Sequence, residues 1–301
     1  MKSLIQALLA GIGLASFGGI AAASDEAATQ IDFETALADT ENWREADPSD
    51  LIYFKIVTSE GKLRGELYIE TAAFAAPNHV KRFKEVVKSG DFDGTVFHRV
   101  IDDFMAQGGD VKMVKPGAEW ENIEQEFVFE RQPFSDEDSV PKADLLRKSG
   151  FDLPGYINGF PIHSENEYNA LSKASGAVES WIVHCPGTVS TARTGDPNSA
   201  STQFFLMRET SPHLDKDYTA WGRVVVGLDV VQSIKKGSPS DGGSVNRPDV
   251  LVKAQMVEDM APENRPRILI QKTDGPMFAD VLATNQSADV CELPPVPAIL
   301  K

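Results

Sequence analysis

The chain has 301 residues, and 29 Lys and Arg face 45 Asp and Glu, for a net charge of −16 at pH 7. A surface this acidic repels nucleic acid and anionic membranes, which excludes binding to either through a basic patch. The length is enough for one large domain, or for one domain with extensions.

The first 23 residues read as a secretory signal peptide. Lys2 supplies a positive start, 4–20 is apolar and contains glycine, and Ala21-Ala22-Ala23 forms a small-residue cleavage site before Ser24-Asp25-Glu26. The apolar run falls short of the ~20 strongly apolar residues that a bilayer span requires. No cysteine follows it to carry a lipid. The expectation is an exported chain, most simply periplasmic, with no stable membrane insertion after cleavage.

Residues 24–50 form an acidic extension whose one helical hint is Glu34-Thr35-Ala36-Leu37, and it reads as a loosely structured leader. An apolar run at 51–57, a turn at Ser59-Glu60-Gly61-Lys62 and alternation through Leu67 and Ile69 predict a β-hairpin. Pro77 then opens a helix. Val80, Phe83, Val86 and Val87 recur at three- and four-residue spacing, and Gly90 ends it.

The stretch 97–110 is the most informative. Its first part is β-branched and aromatic, so it predicts a strand in which Arg99 shares a face with Phe97 and Ile101 rather than with His98. Asp102-Asp103 breaks the strand, Met105 and Gln107 project together if the next segment is extended, and Gly108-Gly109 permits a tight turn. A guanidinium is always charged and has no acceptor. The segment therefore sets a permanent donor beside apolar surface, with no obvious proton-transfer group. It suits holding an amide rather than cleaving one.

Residues 112–180 are rich in Pro, Gly and acids, with short possible elements near 124–129 and 169–175; partial order packed over the main domain is expected. Next, 187–207 reads as strand, polar turn, strand. Alternation puts Gln203 and Phe205 on one face, and Phe204 and Leu206 on the other. A strand near Trp221, a short helix at 228–235 and a last strand at 250–256 follow. The tail, 257–301, offers one possible strand at 267–271 and a proline-rich end, Pro294-Pro295-Val296-Pro297. Cys185 and Cys291 either pair and tie the tail to the main domain, or stand as a buried thiol and an unrelated tail thiol; their sequence positions leave both open.

The residues Phe97-His98-Arg99 followed by Phe104-Met105-Ala106-Gln107-Gly108-Gly109-Asp110 closely resemble the signature of the cyclophilins, the peptidyl-prolyl cis-trans isomerases. The run through Gln203-Phe204-Phe205 is similar to the second half of the cyclophilin site, and Ala192-Arg193-Thr194 is like the bacterial branch. Family similarity covers roughly 51–256. It implies a mainly β fold, a closed eight-stranded antiparallel barrel capped by two α-helices, here with a long insertion and a C-terminal extension. It implies Arg99 as the catalytic residue. The substrate groove it implies is made of His98, Ile101, Phe104, Met105, Gln107, Ala192, Arg193, Gln203, Phe205, Leu214 and Tyr218. The implied partners are proline-containing polypeptide clients met by a monomer, with no metal and no cofactor.

Two departures stand out. His213 occupies a place where many family members carry Trp, a residue important for cyclosporin binding, and Tyr218 one where many carry a site His. Other chemistries fit less well. A hydrolase needs a nucleophile beside a base, and His98, His184 and Cys185 match no such spacing. His79, His98, His163, His184 and His213 show no paired metal-ligand spacing. A holdase that keeps the groove without turnover is the serious rival.

Overall fold

The computed structural model describes residues 31–135, 142–147 and 149–301. The signal-peptide reading of 1–23 lies outside them. Asp32 accepts hydrogen bonds from the backbone N–H groups of Glu34 and Thr35 and so caps a short helix, α1 (Phe33–Ala38), which leads to strand β1 (Trp43–Glu45). The expected hairpin forms as β2 (Leu51–Val57) and β3 (Leu63–Thr71), with Gly61 at φ 79° in its turn. Helix α2 (Pro77–Ser89) starts on its proline, buries Val80, Phe83, Val86 and Val87, and stops at Gly90 in the left-handed region.

β4 (Thr95–Val96) leads into the signature stretch, which supplies β5 (Arg99–Ile101) and β6 (Met105–Gly108) and is followed by one short helix, α3 (Val111–Val114). The insertion then contributes β7 (Phe129–Arg131), β8 (Asp144–Leu145), β9 (Asp152–Ile157), β10 (Phe160–Glu165) and β11 (Val178–Ile182). After it come β12 (Thr188–Thr191), β13 (Phe204–Met207), β14 (Ala220–Val226), α4 (Leu228–Ser233) and β15 (Val250–Met256). The tail adds β16 (Ile268–Gln271), α5 (Pro276–Thr284) and β17 (Ala298–Leu300). No helix among the described residues is long and apolar enough to cross a membrane.

Nine strands form one curled antiparallel sheet in the order β4-β15-β2-β3-β14-β12-β13-β6-β5. The mainly β class with few helices is as expected, but the sheet is not a closed ladder. Its end strands, β4 and β5, follow one another in the chain and are parted by Phe97-His98. There the backbone turns away from strand pairing: Phe97 N–H donates to Asp249 O, and Val245 N–H donates to His98 O. Inside the curl, Phe54, Phe92, Phe204 and Trp221 pack with the apolar side of α2; Trp221 stacks on Phe83 at 4.1 Å between ring centres. α4 adds Val230 and Val231 to the same core.

The described residues of 112–180 are more ordered than the sequence suggests. Their strands make a five-stranded sheet, β7-β11-β10-β9-β8, whose Ile157, Phe160, Ile162 and Ile182 bury against Ala72, Ala75 and Ala220 of the main sheet and its loops. Residues 32–50 are likewise not a loose leader. β1 pairs with β16, and β17 completes a three-stranded sheet, so the two extensions hold each other. Trp43 and Ala46 are buried there. Cys185 and Cys291 form a disulfide that joins the tail to the segment before β12.

Candidate active site

Three strand registers build the site. Arg99 on β5 faces Gln107 on β6, Gln107 faces Phe205 on β13, and Phe205 faces Ser190 on β12. Cross-strand partners project to the same side, so these four make one row across the sheet. The next row is Ile101, Met105 and Met207. Their neighbours along each strand, Val100, Ala106, Phe204 and Leu206, fill the core instead.

Above these rows lies a cavity of about 330 Å³. Of the residues expected in the groove, Arg99, Phe104, Met105, Gln107, Ala192, Arg193, Phe205, Leu214 and Tyr218 line it. Ile101 packs against the apolar floor made by Met105, Phe205, Met207 and Leu214. Gln203 lines a neighbouring cavity of about 270 Å³, which shares Gln107, Ala192 and Arg193 with the first.

Arg99 is the fixed charge of this groove. Its Nε donates to Gly242 O at 3.0 Å, and its Nη1 lies 3.4 Å from Gln107 Oε1 and 4.0 Å from Met105 Sδ. Among the described residues no carboxylate pairs with it; nearby Asp102 is taken by Arg208 and Lys236. Its charge is therefore turned toward the apolar cavity rather than neutralised. A polar chain runs on from it: Gln107 Nε2 donates to Gln203 Oε1 at 2.9 Å, and Gln203 Nε2 to Asp110 Oδ2 at 3.0 Å. That chain sets which end of each amide faces the groove.

The opposite wall is aromatic and ionic. Arg193 lies 4.4 Å over the Tyr218 ring and pairs with Asp217 at 2.6 Å. His213 stacks on Phe104, ring centres 5.6 Å apart. His98 stands apart. It does not line the cavity; its Nδ1 is buried with no hydrogen-bond partner, and burial holds its pKa below the usual range, so it is neutral at pH 7.

A family model for cyclophilin-type peptidyl-prolyl cis-trans isomerases matches residues 53–256. The chain belongs to the cyclophilins. This cyclophilin is 33% identical over 214 residues to a probable peptidyl-prolyl cis-trans isomerase of Brucella abortus, covering 71% of this chain and 86% of that one. It is 30% identical over 202 residues to the peptidyl-prolyl cis-trans isomerase cyp18 of Streptomyces antibioticus, covering 64% and 90%. The crystal structure of the cyclophilin AquaCyp293 from Hirschia baltica matches it with a TM-score of 0.81 at 41% identity, over 90% of this chain and 98% of that one. That coverage reaches beyond the span of the family model. The cyclophilin is an enzyme, a peptidyl-prolyl cis-trans isomerase.

Sequence reasoning missed a layer beneath the cyclophilin groove. Ser190 Oγ and His184 Nε2 are 2.9 Å apart, and His184 Nδ1 is 2.7 Å from Asp215 Oδ1. The order mimics a hydrolytic triad. Ser190 is fully buried, however, and His184 stacks on Phe205 at 6.1 Å, so no substrate carbonyl reaches the hydroxyl. The group instead ties the turn that carries Leu214 to the strand beneath Phe205. Asp217 was missed as well. The signal available for it was its place one residue before Tyr218, which alternation does not weigh.

Proposed function

We propose that this cyclophilin accelerates rotation about X–Pro bonds of exported polypeptides, with Arg99 stabilising the twisted amide. The planar bond is held by donation of the nitrogen lone pair into the carbonyl, which leaves a barrier of ~18–20 kcal/mol. At the half-turned geometry that pair returns to nitrogen, which becomes basic and accepts a hydrogen bond it has no means to accept when flat. A donor aimed there binds the transition state more tightly than the ground state.

Arg99 does not do this alone. One charge-assisted hydrogen bond contributes roughly 1.5–3 kcal/mol, whereas an acceleration of ~10⁶ requires about 8 kcal/mol. Phe104, Met105, Phe205 and Leu214 supply an apolar pocket for the pyrrolidine ring, where the dipolar planar amide is poorly solvated. Gln107 grips the backbone so that only one side of the bond turns. Rotation transfers no electron, proton or group, so the reaction calls for neither metal nor cofactor.

The observation that carries the reading is the guanidinium of Arg99, free of any carboxylate partner among the described residues and set on the rim of that pocket. The decisive experiment is a protease-coupled assay on an Ala-Pro peptide. Arg99→Ala lowers kcat/KM by ~10²–10³, as removal of a transition-state donor does elsewhere; unchanged activity removes Arg99 from the mechanism.

Three finer points belong to the same proposal. The protein acts as a monomer on proline-containing clients in the periplasm, supported by the signal-like 1–23 and by a disulfide of the kind that persists in oxidising compartments. β4 and β5 act as one strand kinked at Phe97-His98, which makes the curled sheet an eight-stranded barrel; their adjacency in the chain supports this. Finally, His213 in place of Trp leaves cyclosporin a weak inhibitor, and nanomolar inhibition of the isomerase would refute that point.

A further inference from the structure

A second cavity, of about 340 Å³, shares no lining residue with the Arg99 cavity. It lies where the tail meets the main sheet and the β9–β10 hairpin, and its size falls within the range of small-molecule sites. Its walls are mostly apolar, with Val224 and Leu228 on one element pair and Val290, Leu293 and Val296 on the tail.

Three polar side chains interrupt these walls, Arg223, Tyr156 and Thr188, and the Thr188 hydroxyl is taken up by Val183 O. Arg223 is 7% exposed and Tyr156 3%. Arg223 directs Nε and Nη2 to Glu70 Oε2 at 3.3 and 3.0 Å, and its guanidinium lies 4.9 Å over the Phe160 ring. Its Nη1 has no hydrogen-bond partner among the described residues, and neither has the Tyr156 hydroxyl. Both residues line the cavity.

The charge balance points the same way. Glu70 also pairs with Arg44 at 2.7 Å, so two guanidinium groups share one carboxylate. Gly159, at φ +83°, stands against Arg223, where an added Cβ would lie 2.7 Å from Nη2 and 3.3 Å from Nη1. The glycine keeps that side of the guanidinium uncovered. Burial raises the Tyr156 pKa, so its hydroxyl stays a donor at neutral pH.

We propose that this cavity is a binding site for small apolar carboxylates, whose two oxygens meet Arg223 Nη1 and the Tyr156 hydroxyl while the hydrocarbon lies against Leu228, Val290, Leu293 and Val296. Two donors suit a monoanion with two oxygens better than a phosphate, which asks for more donors, although the Asp289 carboxylate, which also acts on Tyr156, offsets part of the charge of the two guanidinium groups. The site is half tail and half main sheet, so its ligand binds only the docked tail and stabilises that docking by mass action. None of this rests on the isomerase mechanism.

The test is calorimetric titration and thermal melting of the full chain with hexanoate, against hexan-1-ol and hexylamine. Hexanoate binds and raises Tm, hexan-1-ol binds about tenfold more weakly, and hexylamine does not bind. Tyr156→Phe weakens hexanoate about fivefold to tenfold. Leu228→Trp fills the cavity and abolishes binding while isomerase activity stays unchanged. Hexanoate binding no tighter than hexan-1-ol, or equally tight in Tyr156→Phe, overturns the proposal. Tyr156→Phe keeps the fold-independent arm of the test if the larger substitution is not tolerated.

Discussion

Arg99 and Arg223 sit on the same sheet and do opposite things. Arg99 is half-buried, bonded only to neutral oxygens and a sulfur, and faces an open groove. Arg223 is buried, bound to Glu70 and stacked on Phe160, and joins the main sheet to the insertion. Arg99 is left short of partners beside the groove, as the proposed role requires, whereas Arg223 commits two of its three nitrogens to Glu70 and keeps only Nη1 unpartnered among the described residues. The groove side of the molecule is therefore expected to tolerate loss of charge without unfolding, and the side facing the insertion and tail is not.

The largest test of this contrast is Glu70→Ala. It strands Arg223 beside Arg44 without a counter-charge, and a broken buried pair costs about 3–5 kcal/mol. Urea unfolding should show that loss, while kcat/KM of the protein still folded stays near the wild-type value. Arg99→Ala should do the reverse, with stability within about 0.5 kcal/mol of wild type despite the fall in activity. If both variants lose stability equally, the division of labour is wrong.

The disulfide comes next. Cys185 and Cys291 are 106 residues apart, and removing a bridge that closes so long a loop costs about 2–4 kcal/mol. Cys185→Ser with Cys291→Ser should lower the free energy of unfolding by that amount in urea; an unchanged value would mean that β1-β16-β17 pairing alone secures the tail. His184→Phe removes the partner of Ser190 and of Asp215, which costs about 1–3 kcal/mol. Because the turn bearing Leu214 loosens, KM for the peptide should rise more than kcat falls.

The smallest effect is pH-dependent. Burial pushes the Asp144 carboxyl up to about 6, although Thr273 donates to it. The folded protein then holds a proton that the unfolded chain releases near pH 3.8, so stability is unaffected below about pH 4, falls as pH rises from roughly 4 to 6, and stays lowered above that. Asp144→Asn should stabilise the protein by roughly 1–2 kcal/mol at pH 7.5 and show no benefit at pH 4. Melting curves at the two pH values decide it.

The groove was legible in the chain because it rests on short-range rules. Alternation placed Arg99 and Ile101 together, and Gln203 apart from Phe204. Pro77 and Gly90 marked the ends of α2. His98 agrees with the same rule, turned away from Arg99 and absent from the groove the resemblance implied for it; Phe97 shows the rule's limit, since alternation put it on the face of Arg99 and it is buried in the core beside Val100. β1, with three residues, and β8, with two, are too short to carry any period, and so the ordered extension and the insertion sheet were not visible.

What the sequence by itself determined is therefore the set of groups that line the groove: a fixed cation, a side-chain amide and an apolar floor, each placed by its neighbours within a few residues. Only the tertiary structure decided what meets across long separations. It paired β1 with β16, joined Cys185 to Cys291, and set His184 between Ser190 and Asp215. Those contacts are chosen by which surfaces can be buried together once the sheet has curled, and no local pattern encodes that choice.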